Sequence, residues 1–244
     1  MSAKEPRPVL RGSSNEQDTR ATTLETAVQT RPPRSILKSL RVERVAPSAI
    51  ADVIEREHYL HSMPKAAQAC FGVYAGGGLA GAVVFTSGAR QGHRVLEAAR
   101  PQDVATLARL WLADDLPQNA ESRVLGIVLR AVHRETSWKL VLSYADPGAG
   151  HVGTIYQATG WVYLGQAPPE GYIAIGDSRE RHPRSVYTQY GSNAIGHLRA
   201  TGVPARRVFV SGKHRYVYVL DAAWRWRLRA AAQPYPRLME RGPP

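Results

Sequence analysis

The run Lys139-Leu140-Val141-Leu142-Ser143-Tyr144 constrains the fold more than any other stretch. It is short, apolar and rich in β-formers, which predicts a buried strand. Asp146-Pro147-Gly148 ends that strand with turn chemistry. Val152 to Thr159 predicts a short helix, with Gly160 at its C′ position. Strand, turn and helix in this order point to an α/β arrangement. The polar triplet Ser143, Tyr144 and Asp146 then falls at the carboxyl end of a strand, where open α/β sheets bind ligands. Tyr156 reaches the same place from the following helix.

The chain has 244 residues, enough for one large domain or a domain with extensions, and a hydrophobic fraction of 43% supports a real core. Its single cysteine, Cys70, excludes an intramolecular disulfide and any Cys₄ or Cys₂His₂ zinc site. Cys70 lies in an apolar run and reads as a core residue. The longest apolar runs, such as Ala82 to Phe85, are too short to span a bilayer. The N-terminus lacks the apolar core of a signal peptide. These features predict a soluble, cytoplasmic protein with no membrane partner.

The net charge of +12 is unevenly placed. Residues 1–35 are net +2, residues 36–178 are neutral, and residues 179–244 carry thirteen basic against three acidic residues, net +10. A neutral body with a basic end predicts a polyanionic partner. The candidate contacts are Arg179, Arg181, Arg184, Arg206, Arg207, Lys213, Arg215, Arg225 and Arg227. Trp224-Arg225-Trp226-Arg227 interleaves aromatics with arginines, which suits stacking on bases beside phosphate contacts. The same pattern fits a surface helix that packs its tryptophans on the body. The expected organisation is a disordered tail at 1–35, a catalytic domain at 36–178 and a basic extension at 179–244.

Between these landmarks, Leu40 to Val45 predicts a strand. Ser48 is placed to cap a helix from Ala49 to about Glu57, with Ile50, Val53 and Ile54 on one face. That helix empties into Glu57-His58-Tyr59-Leu60-His61-Ser62-Met63-Pro64, a dense polar loop. Gln68–Tyr74 and Leu79–Thr86 predict a hairpin joined by Ala75-Gly76-Gly77-Gly78, whose glycines give a permissive turn. Val104 to Asp114 fits helix and strand equally. Asn119 is a predicted N-cap for a helix running to about Glu135, with an apolar stripe of Val124, Ile127, Val128, Ala131 and Val132. Ser122 and Arg123 lie in its first turn, whose free amides attract anions. Val162-Tyr163-Leu164 predicts a strand and Val186 to Ala200 one helix. Arg206–Val210 and His214–Leu220 predict a second hairpin around Ser211-Gly212-Lys213.

This element order resembles the acetyltransferase fold of the GNAT superfamily, a mixed, twisted α+β sheet flanked by helices. Ile155-Tyr156-Gln157-Ala158-Thr159-Gly160-Trp161 is similar to that superfamily's late helix. The glycine-rich loop with which GNAT enzymes cradle coenzyme A pyrophosphate is absent. Its place reads Gln118-Asn119-Ala120-Glu121-Ser122-Arg123.

A second resemblance accounts for that departure. Glu57-His58-Tyr59, Leu110-Trp111, Asn119-Ala120-Glu121-Ser122-Arg123, Ser143-Tyr144-Ala145-Asp146, Gly150-His151 and Gly153 to Ala158 together resemble the Mom family of phage DNA-modification proteins. The resemblance implies that adenine in double-stranded DNA is converted to N6-carbamoylmethyladenine in a bacterial host cell, protecting phage DNA from restriction. It implies functional roles for His58, Tyr59, Ser122, Asp146 and Tyr156. It associates an iron ion with the family. It also settles Arg109 to Ala113 as the strand before the central helix.

Adenine N6 is a weak nucleophile, because its lone pair is delocalised into the ring. It is also held inside the duplex, so the base must be flipped out. Asp146 or His58 is then placed for proton removal and Tyr156 for proton donation. Asn119, Ser122 and Arg123 are placed to bind the donor. His58, Tyr59, Asp146 and Tyr156 also form a nitrogen and oxygen set that suits iron. Metal and acid–base roles compete for these side chains, and both stay open. The donor stays open too. Acetyl-CoA lacks the amide nitrogen, whereas a glycine-like donor holds the carbon pair and a nitrogen. A GNAT N-acyltransferase for a small amine or protein, or a non-catalytic DNA-binding protein, are the other classes. The first requires coenzyme A binding, and the second leaves the cluster around Asp146 without a role.

Overall fold

The computed structural model describes residues 39–88, 91–178 and 180–237. The tail expected at 1–35, and Arg179, lie outside the described residues. Strand β1 (Arg41–Val45) pairs antiparallel with β2 (Ala67–Ala75), and β2 with β3 (Gly78–Ser87). Gly76 and Gly77 turn the hairpin at φ +57° and +87°, two consecutive positive values that favour glycine. The ambiguous stretch is a strand, β4 (Val104–Leu112), antiparallel to β3. Helix α1 (Ser48–Glu57) joins β1 to β2 and buries Ile50, Val53 and Ile54 as expected. Its N-cap is Pro47 rather than Ser48, and no side chain caps it.

Strand β5 (Leu140–Ala145) runs parallel to β4, which requires a crossover. Helix α2 (Ala120–Glu135) supplies it. Its fully buried face is Val124, Leu125, Val128, Leu129 and Val132, while Ile127 and Ala131 are half-buried. The stripe is thus rotated towards Leu125 and Leu129 from the predicted one. Helix α3 (Thr154–Ala158) follows β5, and Gly160 at φ +75° stands just past its end, as predicted. Strand β6 (Val162–Gln166) comes next.

The predicted second hairpin does not form. Strand β7 (Glu170–Ile175) pairs with β8 (Ala205–Val210) as a separate two-stranded ribbon. Strand β9 (His214–Val219) instead enters the main sheet between β5 and β6, giving the order β1-β2-β3-β4-β5-β9-β6. Burial explains the difference. His214, Tyr216 and Val217 of β9 are buried, whereas in β8 only Ala205 is. Gly212 marks the crossing: a Cβ there would stand 1.8 Å from the Ala167 carbonyl oxygen. The expected boundary at residue 178 therefore divides one sheet, since β9 from the basic end completes it. The excursion is residues 167–213, with its own small core of Ile173, Val186, Leu198 and Ala205. The single helix expected over 186–200 is two, α4 (Pro183–Tyr190) and α5 (Ile195–Ala200), separated at Gly191 with φ +69°.

Alternate side chains of a strand face opposite sides of the sheet. Ala69, Phe71, Val73, Val83 and Phe85 pack with the buried face of α2, together with Tyr156 and Trp161. Cys70, Ala82 and Val84 pack with α1 on the other side, so Cys70 is a core residue. Beyond α1, that second side carries Leu96, Leu142, Leu164 and Val217, with Trp224 and Leu228 against them. The Trp/Arg stretch is a 3-10 turn, Ala222–Arg227. Trp224 packs inward there, while Trp226 is 73% exposed. No helix among the described residues is long and apolar enough to cross a membrane.

Candidate active site

Strands β4 and β5 are paired over only three positions, Val104 with Leu140, Ala105 with Val141 and Thr106 with Leu142. Beyond Thr106 and Leu142 the two strands diverge. Their carboxyl halves, Leu107–Leu110 and Ser143–Asp146, line a cavity of about 390 Å³. A sheet that opens leaves backbone groups without ladder partners, and these must be satisfied otherwise. Ser143 does this with its Oγ, 3.3 Å from the Leu107 carbonyl oxygen across the gap. The same hydroxyl lies 2.7 Å from the Tyr156 hydroxyl. Tyr156 is buried between Trp161 and Tyr216, with ring centroids 4.9 and 5.0 Å away. Burial pushes its pKa up to about 12, so it is a neutral proton donor at pH 7.

A bulge in β4 shapes the opposite wall. Val84 pairs with Arg109 and Phe85 with Leu107, so Ala108 is the extra residue. Without it, Leu107 and Arg109 would share a face. With it, Leu107 joins the α2 side and Arg109 turns towards the loop after α1. Arg109 donates from Nε to the Ser62 carbonyl at 3.0 Å and from Nη2 to Ser62 Oγ at 3.1 Å, holding that loop to the sheet. Burial lowers the Arg109 pKa. Nothing in the sequence distinguished this residue, because an arginine inside an ambiguous helix-or-strand run gives no signal.

The anchored loop brings His58 and Tyr59 to the cavity. His58 is 5% exposed, and its Nδ1 accepts from the Leu60 backbone N–H at 3.1 Å. Burial, then the charges of Arg109, His61 and His151, pull its pKa down to about 4. It is therefore neutral at pH 7, with its proton on Nε2. Tyr59 stacks on His58 at 4.5 Å between ring centroids and lies 5.6 Å from the His151 ring. The three rings form an aromatic edge along the cavity, and Tyr59 is 47% exposed.

Asp146 closes the carboxyl end of β5. One carboxylate oxygen accepts from the Gly148 N–H at 2.9 Å, and the other pairs with Lys213 Nζ at 3.3 Å. Burial works against the Lys213 charge, but Asp146 and Tyr172 outweigh it and the pKa rises. Lys213, expected among the free phosphate contacts, is thus the partner of Asp146.

The structure brings His58, Tyr59, Asp146 and Tyr156 together on one cavity and adds Arg109, Ser143 and His151. It does not place Asn119, Ser122 or Arg123 on that wall. Asn119 adopts φ +73° and makes no side-chain cap bond. Ser122 Oγ donates back to the Asn119 carbonyl oxygen at 3.1 Å, and Arg123 is exposed. The first turn of α2 presents Glu121 to the cavity instead. Of the expected basic set, Arg181, Arg184, Arg206, Arg207 and Arg225 are exposed. Arg227 stacks between Trp224 and Trp226, 4.6 and 4.7 Å from their ring centroids. Arg215 is half-buried in β9.

The four side chains expected to hold iron, His58, Tyr59, Asp146 and Tyr156, all line this cavity and offer nitrogen and oxygen donors. The free lone pair of neutral His58 is on Nδ1, where Leu60 N–H already occupies it. Each Asp146 oxygen and the Tyr156 hydroxyl has one partner, which leaves a further lone pair on each oxygen. Among the described residues no three His, Cys, Asp or Glu side chains gather to hold a metal.

A model of the Mom protein family matches residues 39–237. The chain belongs to that family. The match runs through the excursion and β9 as well as the strands that carry the cavity. A Mom methylcarbamoylase of Escherichia phage Mu is 28% identical over 208 residues, covering 82% of this chain and 85% of the phage protein. Membership of the Mom family supports a DNA-modifying transferase. Among solved structures, a spermidine N-acetyltransferase from Vibrio cholerae is similar with a TM-score of 0.45 and 9% identity, over 75% of this chain and 95% of that one. An N-acetyltransferase from Staphylococcus aureus Mu50 gives 0.40 and 8%, over 74% and 97%.

Proposed function

We propose that this Mom-family enzyme converts adenine in double-stranded DNA to N6-carbamoylmethyladenine and so shields the DNA from restriction. The observation that carries this reading is the cavity at the β4–β5 divergence, which gathers a stacking edge and proton-transfer groups around one space. In this reading the target adenine leaves the duplex, at a cost of a few kcal/mol. It stacks along the edge of Tyr59 and His151. The His58 Nε2–H donates to a ring nitrogen or to the donor's carbonyl.

N6 attacks the methylene carbon of the donor. The N6–C bond forms as the bond from that carbon to its leaving group breaks, and one N6 proton passes to Asp146. Lys213 holds the carboxylate in place for that transfer. Tyr156, neutral and backed by Ser143, donates a proton to the departing group. The added unit has two carbons and an amide nitrogen. The donor that balances this step is X–CH₂–C(O)NH₂, with X the group that leaves the methylene and takes the Tyr156 proton. An acetyl group lacks the amide nitrogen, and a glycine-like donor serves only when its carboxyl is already carried as the amide and its amine is X.

The exposed arginines of residues 180–237 supply the attraction for the duplex. Plasmid DNA from cells that express the chain is expected to resist an endonuclease whose site contains adenine. Full cleavage, with folded protein present in the cells, would contradict the reading.

A further inference from the structure

A second cavity, of about 430 Å³, lies on the side of the sheet opposite α2. Three arginines line it from three separate segments. Arg94 comes from the 3-10 turn Gly92–Val95, Arg215 from β9, and Arg229 from the stretch after Ala222–Arg227. Those segments are fastened to each other. Arg229 N donates to the Val95 carbonyl at 3.0 Å, Glu97 N to the Arg227 carbonyl at 2.8 Å, and Leu96 bridges Leu228.

No residue lining the cavity is acidic. Among the described residues, none of the three guanidinium groups has a carboxylate partner. Among the described residues, Arg94 donates from Nη1 to Gln91 Oε1 at 3.4 Å. Arg215 donates from Nη2 to the Leu164 carbonyl at 3.0 Å, while its Nε is buried with no partner. Gathering like charges on one partly enclosed space is unfavourable unless an anion joins them, and a buried unpaired donor adds to the cost. Planar guanidinium forks match phosphate geometry. Val95, Leu142 and Leu164 provide an apolar floor that suits a deoxyribose. Position narrows the choice of anion. Tyr144 lines both this cavity and the catalytic one.

We propose that Arg94, Arg215 and Arg229 bind a backbone phosphate of the DNA strand that carries the target adenine. The site rests on the DNA-modifying reading above. It fixes the register of the strand, so that the flipped base enters the cavity on the other side of Tyr144.

The test is a coupling measurement on duplexes in which single phosphates near the target adenine are replaced, one at a time, by neutral methylphosphonate. Wild type is expected to lose about tenfold in affinity at one position, the size of one charge-assisted contact. The Arg94→Gln/Arg229→Gln variant changes two exposed side chains. It should bind the normal duplex about tenfold more weakly and lose nothing further at that position. Its salt slope should be shallower by about 1, as for one released phosphate contact. Arg215→Gln, checked for wild-type thermal unfolding, should repeat the pattern. Methylphosphonate losses that add to those of the variants at every position would overturn the proposal. So would a variant that modifies DNA more slowly at unchanged DNA affinity, since the anion would then belong to the donor. Wild type that modifies adenine but shows no coupling loses this site and keeps the function. Coupling without modified adenine keeps the site and removes the function.

Discussion

Tyr156 and His58 are each held in one protonation state by burial, and each makes a separate prediction. Tyr156→Phe removes a hydroxyl whose partner, Ser143, keeps the Leu107 carbonyl. No buried group is orphaned, so the loss in stability should stay at about 1 kcal/mol. The rate of DNA modification should fall by about 10²-fold or more, the scale of a lost general acid. A variant with near wild-type modification would reduce Tyr156 to a packing residue. His58 makes a prediction about pH. Its folded pKa of about 4 lies below the ordinary 6.5, so the unfolded chain takes up the proton first. Its contribution to stability is complete above pH 6.5 and is lost as pH falls from there towards 4. Urea unfolding of His58→Gln should show a flatter loss of stability between pH 7 and 4.5 than wild type. Parallel curves would contradict a buried, neutral His58.

At the scale of elements, the excursion at residues 167–213 is separable from the sheet. Gln166 and His214, which flank it, are Cα partners across β6 and β9. An Asn-Gly turn in place of 167–213 can therefore close a β6–β9 hairpin. The shortened chain should keep the circular dichroism of the sheet. It loses Lys213, the partner of Asp146, so DNA affinity and not modification is the readout. Of the exposed expected contacts it loses Arg181, Arg184, Arg206 and Arg207, so its log–log salt slope for DNA binding should flatten by about 3 to 4, at ~0.9 per phosphate. An unchanged slope would move the DNA contacts off this excursion. Truncation at residue 200 cannot serve as this test, because it removes β9 from the centre of the sheet.

The excursion also marks where the sequence stopped being legible. The strand at Leu140, the Gly76-Gly77 hairpin, α1 and α3 with Gly160 were all readable from local signals, periodicity and turn glycines. So was the polar cluster at Asp146. The pairing of β9 was not, because a strand's partner depends on burial from both faces rather than on the turn beside it. The Ala108 bulge that aims Arg109 had no signal either, since it exists only in register with Val84. The Asp146–Lys213 pair joins residues 67 positions apart, and charge pattern alone put Lys213 among the phosphate contacts.

For the molecule as a whole, a neutral body is joined to a basic end that shares its sheet through β9, so under the proposed function DNA attraction and chemistry belong to one folded unit. The catalytic cavity itself is lined by one arginine, Arg109, while those of the basic end lie on the excursion, on β9 and from Ala222–Arg227 onward. The account therefore predicts a covalent mark on DNA rather than binding alone. Mass spectrometry of nucleosides is the most direct measurement, using DNA from cells that express wild type or Asp146→Asn. The account predicts deoxyadenosine enlarged by one carbamoylmethyl group with wild type, and none with the variant at equal levels of folded protein. Unmodified adenine with wild type, or equal modification with the variant, would contradict it.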